Sequence, residues 1–169
     1  DIGYPVVLKG EGIAHKTEEG AVRLNLTCGQ DVSDAAVAMP TDRFLVEEMV
    51  TGAVAELLVG VVKDPAHGFV LTLAAGGTLT EIMQDSASVL LPASDAALNT
   101  ALESLRIAPL LSGYRGAPPA DRAAILRAIR AVEAYVVAEA EGLEEIEINP
   151  LLCTPTDAVA ADALIRRKD

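Results

Sequence analysis

The residues best suited to chemistry stand near the end of the chain, where Glu145-Ile146-Glu147-Ile148-Asn149-Pro150-Leu151-Leu152 is followed by Ala161-Asp162-Ala163. Charged and apolar residues alternate from Glu145 to Ile148 as in a half-buried strand, and a proline donates nothing to a ladder, so the strand is predicted to stop near Asn149. Val159-Ala160-Ala161 reads as a short partner strand, whose pairing brings the Asp162 carboxylate near the Asn149 amide oxygen. Hard oxygen donors of this kind suit Mg²⁺ held mainly by a nucleotide's phosphates. The bland alternative is a hairpin in which both side chains make turn hydrogen bonds.

Other groups stand at intervals along the chain. Lys9 closes the apolar run Val6-Val7-Leu8, a costly place for an ammonium unless it meets an anion such as phosphate or snorkels into water. The loop from Gly10 to Gly20 carries His15 and Lys16. Backbone amides beside glycines cradle phosphate oxygens, and a histidine next to them can accept a phosphoryl group. A solvent-facing histidine is the plainer reading, and the glycine spacing and Lys-Ser/Thr pair of a Walker loop are absent. Glu48 and Glu56 lie on neighbouring strand-like runs, where carboxylates bond ribose hydroxyls or an exocyclic amine, or simply face solvent as Glu47 does. Gly76-Gly77 with Glu81 and Asp85 marks either tight backbone packing beside an acidic site or a turn. His67 sits in the turn Lys63-Asp64-Pro65-Ala66-His67-Gly68 and reads as structural or exposed, while Arg115 and Asp121 have the makings of an ion pair at a helix start.

These groups need a scaffold. The chain has 169 residues, 51% of them apolar and only 3% aromatic, enough for a core of Ala, Val, Leu and Ile without staples. A net charge of -12 argues against a nucleic-acid surface, which needs clustered Lys and Arg. Cys28 and Cys153 lie far apart without metal-ligand spacing and read as free thiols. No run approaches a membrane span and no leader is evident, so a cytoplasmic protein is expected. The opening Asp1-Ile2-Gly3-Tyr4-Pro5, without a start methionine, reads as the edge of a fragment.

Strand patterns fall at 6–9, 21–26, 44–50, 55–62, 69–75, 80–85 and 88–91, with the closing hairpin after residue 144. Helical patterns fall at 30–39, 94–105 and 119–140, the last ending near Gly142. Strands outnumber helices and connections are short, which predicts an α+β arrangement of mixed sheets flanked by a few helices.

In order along the chain, Gly3-Tyr4-Pro5-Val6-Val7-Leu8-Lys9, His15-Lys16-Thr17-Glu18, Val46-Glu47-Glu48-Met49-Val50, Glu56-Leu57-Leu58-Val59-Gly60-Val61 with Asp64-Pro65, Gly76-Gly77-Thr78-Leu79-Thr80-Glu81, Arg115-Gly116, and Glu147-Ile148-Asn149-Pro150-Leu151 with Asp162-Ala163 resemble the ATP-grasp domain of NDP-forming (ADP-forming) acyl-CoA synthetases, relatives of the succinyl-CoA synthetase β subunit. The resemblance covers nearly the whole chain. It implies two α+β subdomains with mixed or antiparallel sheets flanked by helices, the first truncated at its N-terminal side. Residues 1–50 would supply the phosphate-binding strand, the histidine loop and the hinge, and residues 51–169 the ribose and metal side.

The same resemblance implies roles for matched positions. Lys9 would bind nucleotide phosphates, Glu48 with the backbone of Met49 and Val50 the adenine, Glu56 the ribose, and Asn149 with Asp162 the Mg²⁺. His15 falls in the loop expected to relay a phosphoryl group. In the family an acyl-CoA and phosphate give an acyl phosphate, whose phosphoryl group passes to histidine and then to ADP. The CoA-binding and ligase domains lie outside this chain, and a homo-oligomer is compatible with the pattern. The loop before His15 is shorter than in archaeal members, and His67 stands where the family often has Phe. Two other readings remain: a catalytically silent nucleotide-binding regulatory module of a synthetase-like fusion, and another ATP-grasp carboxylate ligase, which would not need His15.

Overall fold

The computed structural model describes residues 2–13, 16–17, 19–77 and 84–168. The chain divides into two compact units, Asp1–Thr51 and Gly52–Asp169.

In the first unit β1 (Val6–Gly10) is flanked by β2 (Val22–Leu26) and β3 (Phe44–Glu48), both antiparallel to it. Val6 and Leu8 face α1 (Gly29–Ala38), and with Leu26, Ala35 and Met39 they form a small core. Asp31 in the first turn of α1 accepts the Thr27 amide and hydroxyl, each at 2.8 Å. Those bonds, the backbone one foremost, hold its carboxyl below the usual aspartate range. An anion there also complements the positive end of the helix dipole.

The second unit is built on a six-stranded sheet. Its strands are β4 (Ala55–Asp64), β5 (Gly68–Ala75), β6 (Ser86–Leu90), β7 (Leu143–Cys153), β8 (Ala158–Ala160) and β9 (Ala163–Arg167). They run in the order β6-β5-β4-β7-β8, with β9 also paired to β7. Every pairing among the described residues is antiparallel, one of the two arrangements that the expected mixed or antiparallel sheets allow. Ala55, Leu57, Val59 and Val61 alternate into the core. There they meet α2 (Asp95–Ser104), α3 (Ala108–Leu111) and α4 (Arg122–Ala138) through Leu98, Leu102, Leu111, Ile125 and Ile129. This stripe at helical spacing on α4 is what buries the helix against the sheet. Among the described residues no helix is long and apolar enough to cross a membrane.

Local chemistry fixes the connections. The carboxylate of Asp64 accepts the amides of Ala66 at 2.9 Å and His67 at 2.8 Å, and meets the His67 ring at 2.8 Å, closing the β4–β5 hairpin. The imidazole bond leads the causes that hold the Asp64 carboxyl low, and His67 is 65% exposed at its side chain. Asp121 caps α4 by accepting the Ala124 amide at 3.0 Å and pairs with Arg127 rather than with Arg115. Arg115 instead lies over the Tyr114 ring. Arg130 bonds Asp95, Glu133 and the Ala93 carbonyl, tying α4 to the start of α2.

β7 does not stop at Asn149. Leu57 faces Leu151 and Val59 faces Ile148, so one extra residue is accommodated on β7 at Asn149–Pro150. A bulge there takes the proline, which has no N–H, out of the ladder, and pairing resumes through Leu151–Cys153.

Candidate functional site

In the first unit Lys9 lies on the face of β1 opposite Val6 and Leu8, and its side chain is 11% exposed. It makes an ion pair with Glu47. Register explains the choice. Glu47 stands across from Val7 and Lys9 across from Leu45, so the two charges share a face as diagonal neighbours. Glu48 stands across from Val6, on the other face, and is exposed. Lys9 and Glu48 are therefore not brought together. The Met49 amide donates to the Pro5 carbonyl at 3.2 Å, and the Met49 sulfur accepts the Asn25 amide at 3.2 Å. The loop after Lys9 is closed at its base, where the Gly10 amide donates to Ala21 and the Ala21 amide to Lys16, at 2.8 and 2.7 Å. His15, within it, lies outside the described residues, as does Glu81 of the second unit.

In the second unit the expected site residues meet at one place. β8 and β9 pair with β7 on either side of the bulge, leaving Asp162 at their junction opposite Asn149. The Asn149 amide donates to the Asp162 carbonyl at 3.2 Å, and the Ala161 amide to the Pro150 carbonyl at 2.9 Å. Asn149 Oδ1 accepts the Gly77 amide at 3.0 Å. The Gly76 amide donates to the Glu56 carbonyl at 2.8 Å, and the Glu56 carboxylate lies so close to Gly77 that a Cβ there would collide with it. Glu56, Gly77, Asn149 and Asp162 thus form one linked group across β4, the end of β5, and the β7–β9 junction.

The donor set fits a hard divalent cation held largely by another ligand. An amide oxygen has two lone pairs and Asn149 uses one on Gly77; Asp162 adds a carboxylate, one of whose oxygens accepts the Ala163 amide at 3.0 Å. Among the described residues no group of three or more His, Cys, Asp or Glu gathers as a cage of its own. Two protein oxygens, with phosphates supplying others, make the kind of donor set that Mg²⁺ takes.

Asp85 does not belong to this group. It is buried, with its two oxygens accepting the amides of Arg106 at 2.8 Å and Ile107 at 3.1 Å at the entrance to α3. Two partners, Glu47 for Lys9 and Gly77 for Asn149, leave no mark in the residue pattern. Both depend on register or on a backbone amide, which residue type does not reveal.

A model of the ATP-grasp domain matches residues 1–166. The chain belongs to the ATP-grasp domain family. Its relatives there include ADP-forming acyl-CoA synthetases. It is 37% identical over 97% of its length to trans-feruloyl-CoA synthase FCS1 of an unknown prokaryotic organism. It is 26% identical over 96% of its length to the acetate–CoA ligase [ADP-forming] I subunit beta of Pyrococcus furiosus, covering 75% of that subunit. Among solved structures, it superposes with a TM-score of 0.84 and 28% identity on a dinucleotide forming acetyl-coenzyme A synthetase 1 of Ca. Korarchaeum cryptofilum in complex with coenzyme A and Mg-AMPPCP, covering 99% of this chain and 78% of that one. The chain spans 25% of the length of the trans-feruloyl-CoA synthase.

Proposed function

We propose that this chain is the nucleotide-binding domain of a cytoplasmic ADP-forming acyl-CoA synthetase and holds ATP or ADP with Mg²⁺ during phosphoryl transfer. The observation that carries the reading is the linkage of Glu56, Gly77, Asn149 and Asp162 at one end of the second unit. In this reading Asn149 and Asp162 hold the metal, whose contribution is to neutralise phosphate charge. Glu56 accepts from ribose hydroxyls, and Lys9 exchanges Glu47 for phosphate oxygens. Glu48 contacts the adenine with the backbone of Met49 and Val50; because the Met49 amide already serves Pro5, Met49 contributes its carbonyl.

His15 is the residue of this chain proposed to carry the phosphoryl group. The P–N bond to an imidazole breaks as a P–O bond forms to the terminal oxygen of ADP, and the nitrogen keeps the electron pair. The acyl-CoA half of the reaction falls to CoA-binding and ligase domains outside this chain.

Calorimetric titration with ADP or ATP, with and without Mg²⁺, tests the reading against an Asn149→Ala/Asp162→Ala double variant. Saturable, metal-dependent binding that the variant loses is the expected result. Binding of equal strength in the variant would remove both residues from the metal site. A silent regulatory module, favoured only by the occupation of Lys9 by Glu47, would bind nucleotide, and His15→Ala in the whole enzyme would then leave its properties unchanged.

A further inference from the structure

We propose that Gly77 is a positioning residue for the metal ligand, its backbone N–H holding the Asn149 carboxamide with Oδ1 turned to the metal side; this rests on the function proposed above. The backbone around Asn149 is fixed on both sides, by the bonds from Asn149 to Asp162 and from Ala161 to Pro150, at 3.2 and 2.9 Å. Those bonds do not set the side-chain torsions, of which the last, rotation of the terminal amide, is broad and roughly two-fold. Its two settings differ in kind, because one offers a cation an acceptor oxygen and the other a pair of N–H donors. The Gly77 amide, 3.0 Å from Oδ1, is a donor and tolerates only the oxygen. It therefore excludes the setting that would repel a cation, and leaves the second lone pair of Oδ1 for the metal.

The demand for glycine follows from how that amide is delivered. Gly77 has φ +74, and a Cβ on it would run into Glu56 Oε2. A Cβ on Gly76 would lie 2.6 Å from the Leu57 carbonyl carbon. Gly76 lies flat against the β4 backbone, its amide bonded to the Glu56 carbonyl at 2.8 Å, whereas Gly77 meets the end of the Glu56 side chain. At Gly76 only a side-chain-free residue passes that close to β4, and at Gly77 the positive φ from which the N–H is presented to β7 favours glycine. The pair thus does more than turn the chain: it places the carboxylate of Glu56 and the carboxamide of Asn149 around one peptide.

The test is a cycle of Gly77→Ala, Asn149→Asp and the double variant, titrated calorimetrically with ADP in the presence and absence of Mg²⁺. Gly77→Ala is expected to lower the ratio of the two affinities by about tenfold or more, the usual effect of losing a group that orients a metal ligand. Aspartate has two equivalent oxygens and no wrong setting. Its gain in Mg²⁺-dependent affinity should therefore be about tenfold larger in the Gly77→Ala background than in the parent. Equal gains in the two backgrounds would overturn the inference and leave the proposed function standing. No Mg²⁺ dependence in the parent would overturn both. Should Gly77→Ala not fold, hydrogen exchange decides instead. The Gly77 amide is expected to exchange about tenfold faster in Asn149→Ala than in the parent, as for an amide that loses its acceptor, and an unchanged rate overturns the inference.

Discussion

Lys9 is held by a carboxylate where the proposed function needs it to hold a phosphate. Its partner Glu47 is 39% exposed at the side chain, so the pair is partly solvated and is worth less than about 1 kcal/mol to folding. Glu47→Gln should leave the urea midpoint nearly unchanged while tightening ADP binding, because the phosphate no longer competes with an anion for the ammonium. Lys9→Met should weaken binding. Calorimetry beside denaturation separates the two effects, and weaker binding by Glu47→Gln would mean that Glu47 aims Lys9 rather than occupying it. Cys153 has the opposite character. It is fully buried, and burial pushes its thiol from 9.0 up to about 12. The folded chain then binds a proton that the unfolded chain releases, so this contribution is intact below pH 9.0 and is lost as pH rises towards 12. Stability should fall by about 1.4 kcal/mol per pH unit in that window through this residue. Urea melts on the parent and on Cys153→Ala, in which that component of the slope disappears, measure it.

Asp85 follows the Gly76-Gly77 stretch and resembles, by type and position, one more acidic site residue. Its bonds to the Arg106 and Ile107 amides make it the support of α3 instead. Asp85→Ala strands two amide donors and should cost about 2–3 kcal/mol in a urea melt while leaving nucleotide affinity unchanged. Loss of affinity without loss of stability would return it to the site. The elements that were legible in sequence are those whose pattern is local. The alternation of Val22–Leu26, the apolar run of Ala55–Val61, and the stripe of Ile125, Ile129, Val132 and Val136 each announce themselves within a few residues. Three features did not. The four-residue α3, Ala108–Leu111, is too short to show a period. The edge strand Ala163–Arg167 is exposed throughout and has no alternation to read. β7 runs past Pro150 because a bulge, set by pairing with a distant strand, absorbs the missing donor. The same division runs through the proposed site: Asn149 and Asp162 stand out by type and spacing, whereas the Gly77 amide bonded to Asn149 is a backbone group.

The two units differ in how much apolar surface they close. The first has a core of Val6, Leu8, Leu26, Ala35 and Met39 within about fifty residues. The second packs Leu57, Leu73, Leu98, Leu102, Ile125 and their neighbours into one large cluster between sheet and helices. Small cores bury a smaller fraction of their surface and open more readily. In native-state hydrogen exchange the amides of β1 and β3 should therefore exchange at least about tenfold faster than those of β4, β5 and the Leu143–Ile148 part of β7. Ligand changes the comparison. The net charge of -12 opposes a polyphosphate at long range, so binding must come from local groups such as Lys9 and a divalent cation. The proposed nucleotide ligands fall on both units, Lys9 and Glu48 on one and Glu56, Asn149 and Asp162 on the other. Mg-ADP at one hundred times its dissociation constant should then add about 2.7 kcal/mol of protection to any opening that breaks its contacts. That gain should appear in β1 and β3 as well as around Asn149 in the second unit. Protection that rises only around Asn149 would remove Lys9 from the nucleotide's ligands and confine nucleotide binding to the second unit.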